Sequence, residues 1–453
     1  MTRVPCVNAV LLSPEIWRQI NSYQPGTYLD FRQFRHFSSP CLRSCVYFPY
    51  KEVATIDGAL QPWLKEFGVR RLSRLFKYNA SMLDVALLHS VSIGNTQLAS
   101  YILKTYNPGV DSLVDIAACQ NQESMLHFLT DYYPQVSCST NAMDWAASRG
   151  HVNVLDYLHR IRNAAHTEKA LRWAAYHGHL EVIQFFHAIK SCFFSRSIMD
   201  IAAGNGHLEL VQYLHRTRSE GCTVAAMNEA SRGGYLTMVQ WLHDHRQEGC
   251  TTDAMDKAAE DGYLDVVQFL HENRTEGCTT AAIDWAATWG HLDVVKYLHA
   301  HGKPCTTAAM DGAAENGHLD VVQWLHSHRT EGCTVSAMDQ AAIEGHEHVI
   351  EWLHLHREEG CTTNAMDWAA MGGHLNIVSF LHWNRHEGCT TDAMDFAMAG
   401  KHWDIVRFLN QHRKEGCSVN ALKRVRDDGN EHHVSFLAVR EYELSDFTVV
   451  MLG

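Results

Sequence analysis

No apolar run in the sequence approaches the roughly 18 residues that a membrane-spanning helix requires, which argues against a membrane as partner. A convincing leader is missing too: the apolar opening from Val4 to Leu12 is interrupted by Asn8, and no small-residue cleavage site follows it. Positive charge is scarce, with 38 Lys and Arg against 51 Asp and Glu and a formal charge of −13. Binding to a phosphate backbone rests on clustered cations, so nucleic acid is set aside as the main partner. Three chemical signatures are lacking as well: a Gly-rich phosphate loop, a G-x-S-x-G turn and an H-E-x-x-H helix. Without them the chain reads as non-enzymatic, with no catalytic residue and no cofactor to assign. What is present is 46% apolar residues, enough for a large core, and an excess of 14 Cys and 31 His.

Nine of the cysteines stand in register: Cys138, Cys222, Cys250, Cys278, Cys305, Cys333, Cys361, Cys389 and Cys417. From Cys222 onward the step is 28 residues, shortened to 27 between Cys278 and Cys305, while His166 and Phe194 hold the same place in two earlier copies. A period of this size announces a solenoid or array and overrides the three or so ordinary domains that the length alone suggests. The best copies read C-T-T-x-A-M-D-x-A-A-x-x-G-H-L-x-V-V-x-W-L-H-x-H-R-x-E-G, numbered here as slots 1 to 28. Slot 20 is aromatic throughout, from Tyr101 and Phe128 to Phe408 and Phe436, which extends the array to about thirteen repeats over residues 82–444.

Each repeat predicts two short helices. In the first, slots 5, 6, 9 and 10 (Ala, Met, Ala, Ala) share one face after a Thr able to cap the N-terminus, and the Gly of slot 13 ends it. In the second, Val, Val and Leu at slots 17, 18 and 21 form the apolar stripe, Arg at slot 25 suits the helix dipole, and Gly at slot 28 closes the repeat. Helices of about ten residues are marginal alone, so stacking has to supply the stability.

The pattern resembles the ankyrin repeat. The run A-M-D-x-A-A-x-x-G-H-L-x-V-V lines up with that family's T-P-L-H-x-A-A-x-x-G-H-L-E-V-V, most clearly at Ala146-Ala147, Gly150-His151, Gly178-His179, Gly206-His207, Gly290-His291 and Gly317-His318-Leu319-Asp320-Val321-Val322. Two departures stand out: x-A-M-D replaces the T-P-L-H opening, and 28 residues replace the family's about 33. The resemblance therefore implies an all-α solenoid of stacked helix-turn-helix repeats, with short turns in place of long β-hairpins, and a binding scaffold as its function.

The histidines and cysteines read as structural. His fills slot 22 nine times, slot 14 eight times and slot 24 five times. Equivalent residues of stacked helices lie about 8–10 Å apart, whereas zinc ligands sit about 2.0–2.3 Å from the metal. No metal site is assigned. Slot-14 His is expected to bond a neighbouring turn, and slot-22 and slot-24 His to serve the second helix's C-terminus. Disulfide geometry needs Cα atoms about 4.4–6.8 Å apart, which excludes pairing along the slot-1 ladder. Free thiols imply a reducing, intracellular compartment, the cytoplasm or the nucleus. Cys41 and Cys45 form a lone C-x-x-x-C without a second pair. Asp at slot 7, recurring nine times, is expected to make a repeated bond to an adjacent turn rather than to act as a catalytic acid.

Binding is expected where the repeats vary. Slots 8, 11 and 12 lie at i, i+3 and i+4 on one face of the first helix, a stretch that in the ankyrin family faces the groove. They supply the candidate partner-binding residues Trp145, Arg149, Trp173, Tyr176, His177, Lys257, Glu260, Trp285, Trp289, Trp368, Met371 and Phe396, among them the types enriched at binding hot spots. Packing of the slot-8 tryptophans against the next repeat is the competing reading. Charged Glu229 and Lys257 in the same slot argue for exposure, and Lys257 is placed to pair with Asp261.

Residues 1–81 stand outside the repeat and are expected to cap it, with a helix over 59–77 carrying Trp63, Leu64, Phe67, Leu72 and Leu75; residues 445–453 form a tail. The segment Leu11–Ile20 is faintly similar to the opening of an F-box, which implies an alternative role as a substrate receptor for a ubiquitin ligase. The main expectation is a monomeric, non-catalytic scaffold for another protein.

Overall fold

The computed structural model describes residues 29–37, 50–106, 108 and 112–429. The F-box-like segment 11–20, Cys41, Cys45 and the tail 445–453 lie outside the described residues. Within them there are 27 α-helices and no strand. The helices gather into two compact bodies, Met1–Ala202 with His207–Gly221, and Ala203–Gly206 with Cys222–Gly453.

The first body opens with a 3₁₀ turn, Leu29–Phe34, and two helices, Tyr50–Phe67 and Leu72–Tyr78. The single helix expected over 59–77 is therefore two, because the chain turns at Gly68 with φ +70°. Trp63 is buried against Phe31 and Phe34, and its indole N–H donates to Asp30 at 3.0 Å. Arg71 holds the same Asp30 carboxylate at 2.8 Å. Helix pairs follow: Ser81–Ser92 with Thr96–Tyr106, Leu113–Cys119 with Glu123–Tyr132, Thr140–Ser148 with Val152–Arg162, and Glu168–Tyr176 with Leu180–Ala188. The second body runs from the pair Val224–Arg232 and Leu236–His245 to the pair Thr391–Ala399 and Trp403–His412, then Val419–Asp427.

The expected stripes form the core. In the repeat from Cys305, Ala309, Met310, Ala313 and Ala314 of the first helix and Val321, Val322 and Leu325 of the second are all buried. Each buried Val or Leu contributes about 1.5–3 kcal/mol relative to exposure. The small alanines let consecutive first helices pack closely against one another, as Thr252–Glu260, Ala281–Thr288 and Ala308–Glu315 do.

What joins one repeat to the next is the slot-7 carboxylate. Asp339 accepts the backbone N–H of Thr362 at 2.8 Å through Oδ1 and its hydroxyl at 2.7 Å through Oδ2. The Thr362 hydroxyl oxygen in turn accepts the N–H of Asn364 at 3.1 Å, capping its own helix. The same three-bond clamp links Asp256 to Thr279, Asp284 to Thr306 and Asp367 to Thr390, and in the first body Asp144 to Thr167. Where slot 7 is Asn228, its amide donates to the Thr251 hydroxyl at 2.9 Å and its carbonyl oxygen accepts the Thr251 N–H at 3.0 Å.

Slots 13 and 14 make a second tie. His151, His179, His207 and His374 each place Nε2 about one hydrogen bond from a carbonyl of the preceding repeat, at 3.2, 3.1, 2.9 and 2.9 Å. The ring crosses the preceding slot-13 glycine. Gly290 has φ +78°, and a Cβ there would lie 2.7 Å from the His318 ring, so both conformation and space require glycine.

A third tie was not foreseen. The slot-25 arginine was expected only to meet the helix dipole. Instead Arg246 forks onto Glu248 of slot 27, with Nε to Oε2 at 3.2 Å and Nη2 to Oε1, and the pattern recurs from Arg218 with Glu220 to Arg413 with Glu415. The glutamate also accepts the slot-1 backbone N–H, as Glu276 does from Cys250 at 3.4 Å. Arg329 further donates to the preceding repeat, to Lys303 O at 3.3 Å and His299 Nδ1 at 3.5 Å.

Replacing Asp339 by Ala leaves the Thr362 N–H and hydroxyl without their acceptor and should lower the unfolding free energy by about 2–4 kcal/mol. Asp339→Asn should cost less than half as much, because Asn228 makes the same contacts; urea midpoints measure both. The carboxylates also set an acid response. The Arg274 fork holds Glu276 down at about 2, against burial, which pulls the other way. A depressed folded pKa gives stability that is complete above the ordinary value of 4.5 and lost as pH falls toward 2. Burial instead raises Asp339 above 3.8, and such a group favours the folded state as pH falls. Glu276→Gln should therefore be less stable than the parent at pH 7 and lose less between about pH 4.5 and 2.5, read as urea midpoints at the two ends.

Candidate partner-binding face

Scaffold contacts consume slots 5–7, 9, 10, 13, 14, 17, 18, 21, 25 and 27, which leaves slots 8, 11 and 12 of the first helix to be judged by exposure. In the second body Trp285 is 42% and Trp289 55% exposed, and Met371 is 39% exposed. Trp368, Phe396, Lys257 and Glu260 are half-buried. In the first body Tyr176 is 54% exposed, His177 is exposed, and Trp173 and Arg149 are half-buried. The Tyr176 and His177 rings meet edge to face at 5.0 Å. Burial and the neighbouring imidazole of His179 push the His177 pKa below 6.5, so this ring is neutral near pH 7.

Two expectations are corrected. Trp145 is only 6% exposed and belongs to the core. In the same slot Trp145 stands between Ile116 and Trp173, whereas Trp285 is followed by Gly312. The second correction concerns Lys257, whose Nζ pairs with Glu229 Oε1 at 3.2 Å, slot 8 to slot 8, rather than with Asp261. The two charges that suggested an uncompensated, solvated slot compensate each other.

The second helices carry a surface that the periodicity did not disclose. Each slot-24 His lies over the slot-20 aromatic one turn earlier, as with Trp241 and His245 at 4.6 Å, Trp324 and His328 at 4.4 Å, and Trp352 and His356 at 4.5 Å, all near-parallel. The same imidazole Nδ1 bonds that residue's carbonyl, at 2.9 Å for His328. Slot-22 His meets the next repeat's aromatic edge-on, as His326 does Trp352 at 5.1 Å. Beside this ribbon, Leu355 and Trp383 in slot 23 of consecutive repeats are 74% and 66% exposed. The signal for them was available, because slot 23 is otherwise small or polar in the second body.

The described cysteines are free thiols. Burial raises Cys250, Cys305, Cys333 and Cys389 to about 11 and Cys361 to about 12, which keeps them protonated and unreactive near neutral pH. Among the described residues no group of three or more His, Cys, Asp or Glu is placed to hold a metal ion. A cleft of about 800 Å³ in the first body, between Gln61, Pro62, Leu64 and Lys65 on one side and Asn95, Gln97, Leu98 and Tyr101 on the other, offers no carboxylate or imidazole. No helix among the described residues is long and apolar enough to cross a membrane.

Fold and face together define a helical-repeat protein whose variable side chains are gathered on the first helices. Residues 255–339 and 283–367 match the family model for ankyrin repeats, with three copies, and this segment of the chain is made of ankyrin repeats. No curated protein matches the chain. Among solved structures, the chain is similar to the pentatricopeptide repeat protein PPR10 from maize at 12% identity, with a TM-score of 0.27 over 86% of this chain and 68% of that one.

The exposure contrast is measurable. Trp145→Ala should cost about 3–5 kcal/mol as a core truncation, while Trp285→Ala with Trp289→Ala should stay within about 1 kcal/mol of the parent. Thermal and urea midpoints of the two variants test this.

Proposed function

We propose that the chain is a non-catalytic scaffold that holds another protein against the first-helix face of its repeats. The observation that carries this reading is the pair of large exposed indoles at Trp285 and Trp289. Indoles that reach solvent without helping the fold are the residues that anchor partners. Tyr176 and His177 with Trp173 and Arg149 make a corresponding patch in the first body. Met371, Trp368 and Phe396 extend the face of the second, with Lys257 and Glu260 as polar members. Trp145 is left out because it is core. The ankyrin repeats at 255–367 support the same reading, since those repeats imply binding to proteins. The reading further takes the chain to act as a monomer in the cytoplasm or nucleus, where thiols such as Cys192, exposed and free, stay reduced.

The test is affinity capture from lysate of the source cell with the full chain and with a variant carrying Trp173→Ala, Tyr176→Ala, Trp285→Ala and Trp289→Ala, shown by circular dichroism to be folded. A protein retained by the parent and depleted about tenfold or more on the variant is the expected result. Equal capture by both moves binding off the first-helix face.

A further inference from the structure

The four consecutive repeats from Cys250 to Gly360 give the first-helix face a chemistry that selects among partners. Slots 8, 11 and 12 of these repeats hold twelve residues, of which Glu260, Asp261, Glu315 and Glu344 are acids and Lys257 is the one base. Lys257 is already committed to Glu229. No ion pair among the described residues uses any of the four acids, which are half-buried or exposed. Burial pushes the nearby His346 below 6.5, so it adds no compensating charge at neutral pH. Trp285 and Trp289 therefore stand in a field of one sign. With stacked helices about 8–10 Å apart, the acids of the flanking repeats lie about one Debye length from the indoles at physiological salt.

Gly312 takes the slot next to Trp285, and a Cβ there would meet Thr288 Oγ1 at 2.1 Å, so the absence of a side chain is enforced by packing. Exposed indole faces attract cations. Of the two basic side chains, the guanidinium is planar, stacks on aromatic rings and forks onto carboxylates, which matches a face made of both. A neutral segment gains only apolar contact here, and an acidic one is repelled.

We propose that the Trp285–Trp289 face binds an arginine-bearing segment of a partner protein, the guanidinium groups lying on the indoles and pairing with Glu260, Asp261, Glu315 and Glu344. This rests on the reading of the first-helix face as the binding surface.

The experiment selects a phage-displayed library of random dodecapeptides on the full chain, with counter-selection on the Trp285→Ala, Trp289→Ala chain. Selected peptides are then titrated by fluorescence anisotropy. The expected result is enrichment of arginine, with affinity falling about tenfold or more on a Glu260→Gln, Asp261→Asn, Glu315→Gln, Glu344→Gln chain that keeps both tryptophans, and falling again as salt is raised. Tryptophan-dependent peptides that are neutral or acidic, or arginine peptides indifferent to the four amides, would overturn the arginine assignment and leave the face standing as a binding surface. If no peptide depends on the tryptophans, both fail.

Discussion

A buried carboxylate shared between neighbours is the constraint on which this fold depends. The slot-7 aspartate takes two donors from the next repeat's Thr, and that Thr can cap its own helix in the observed geometry only while the hydroxyl proton points back at the aspartate. A first helix of about nine residues has little stability of its own. Its N-terminus is thus completed by a group that belongs to the preceding repeat, which turns a chain of marginal helices into a cooperative array. The arginine fork and the slot-14 imidazole follow the same logic, each satisfying polar atoms across a repeat boundary. One departure at slot 7 shows what replaces the clamp. Arg172 cannot accept from the next repeat, and it pairs with Glu168 at 3.7 Å instead. Ser195, in the capping slot that follows, turns its hydroxyl to Ser197 at 2.8 Å, and Phe194 takes the Arg218 guanidinium over its ring at 4.3 Å.

How much of this could be read in advance depended on whether a property belongs to one repeat or to a pair. Helix pairs, their apolar stripes, the left-handed glycine and the absence of long hairpins follow from spacing inside a repeat, and all are present. The aspartate's role was legible because a carboxylate in nearly every copy has no catalytic meaning. The R-x-E fork was missed, since the slot-25 Arg read only as a charge suited to the helix dipole. Its geometry becomes special only when the preceding turn supplies a carbonyl and an imidazole, as Lys303 and His299 do for Arg329. Lys257 misled for a related reason, because i, i+4 spacing offered Asp261 while stacking brought Glu229 closer.

The candidate site shows the same division more sharply. Slot 8 is one position in the sequence pattern but several environments in the structure. Trp145 is buried, Trp368 is half-buried and Trp285 is open. A column of the repeat read vertically, as pairs of successive residues, carries information that the column read as a list of types does not.

Specificity in such an array is therefore written in differences between neighbours. The ties between repeats rest mainly on other slots, so the exposed positions among slots 8, 11 and 12 can differ from repeat to repeat. Gly312 costs helix propensity by about 1 kcal/mol relative to Ala, yet a Cβ would strike Thr288. Glu229 and Lys257 neutralise each other, and the next three repeats then hold no base in these slots. Both features are local exceptions to the repeat, and both leave the scaffold bonds intact. An array held together by invariant polar bonds gains the freedom to vary where it meets a partner, and the sites of that variation are where its function has to be sought.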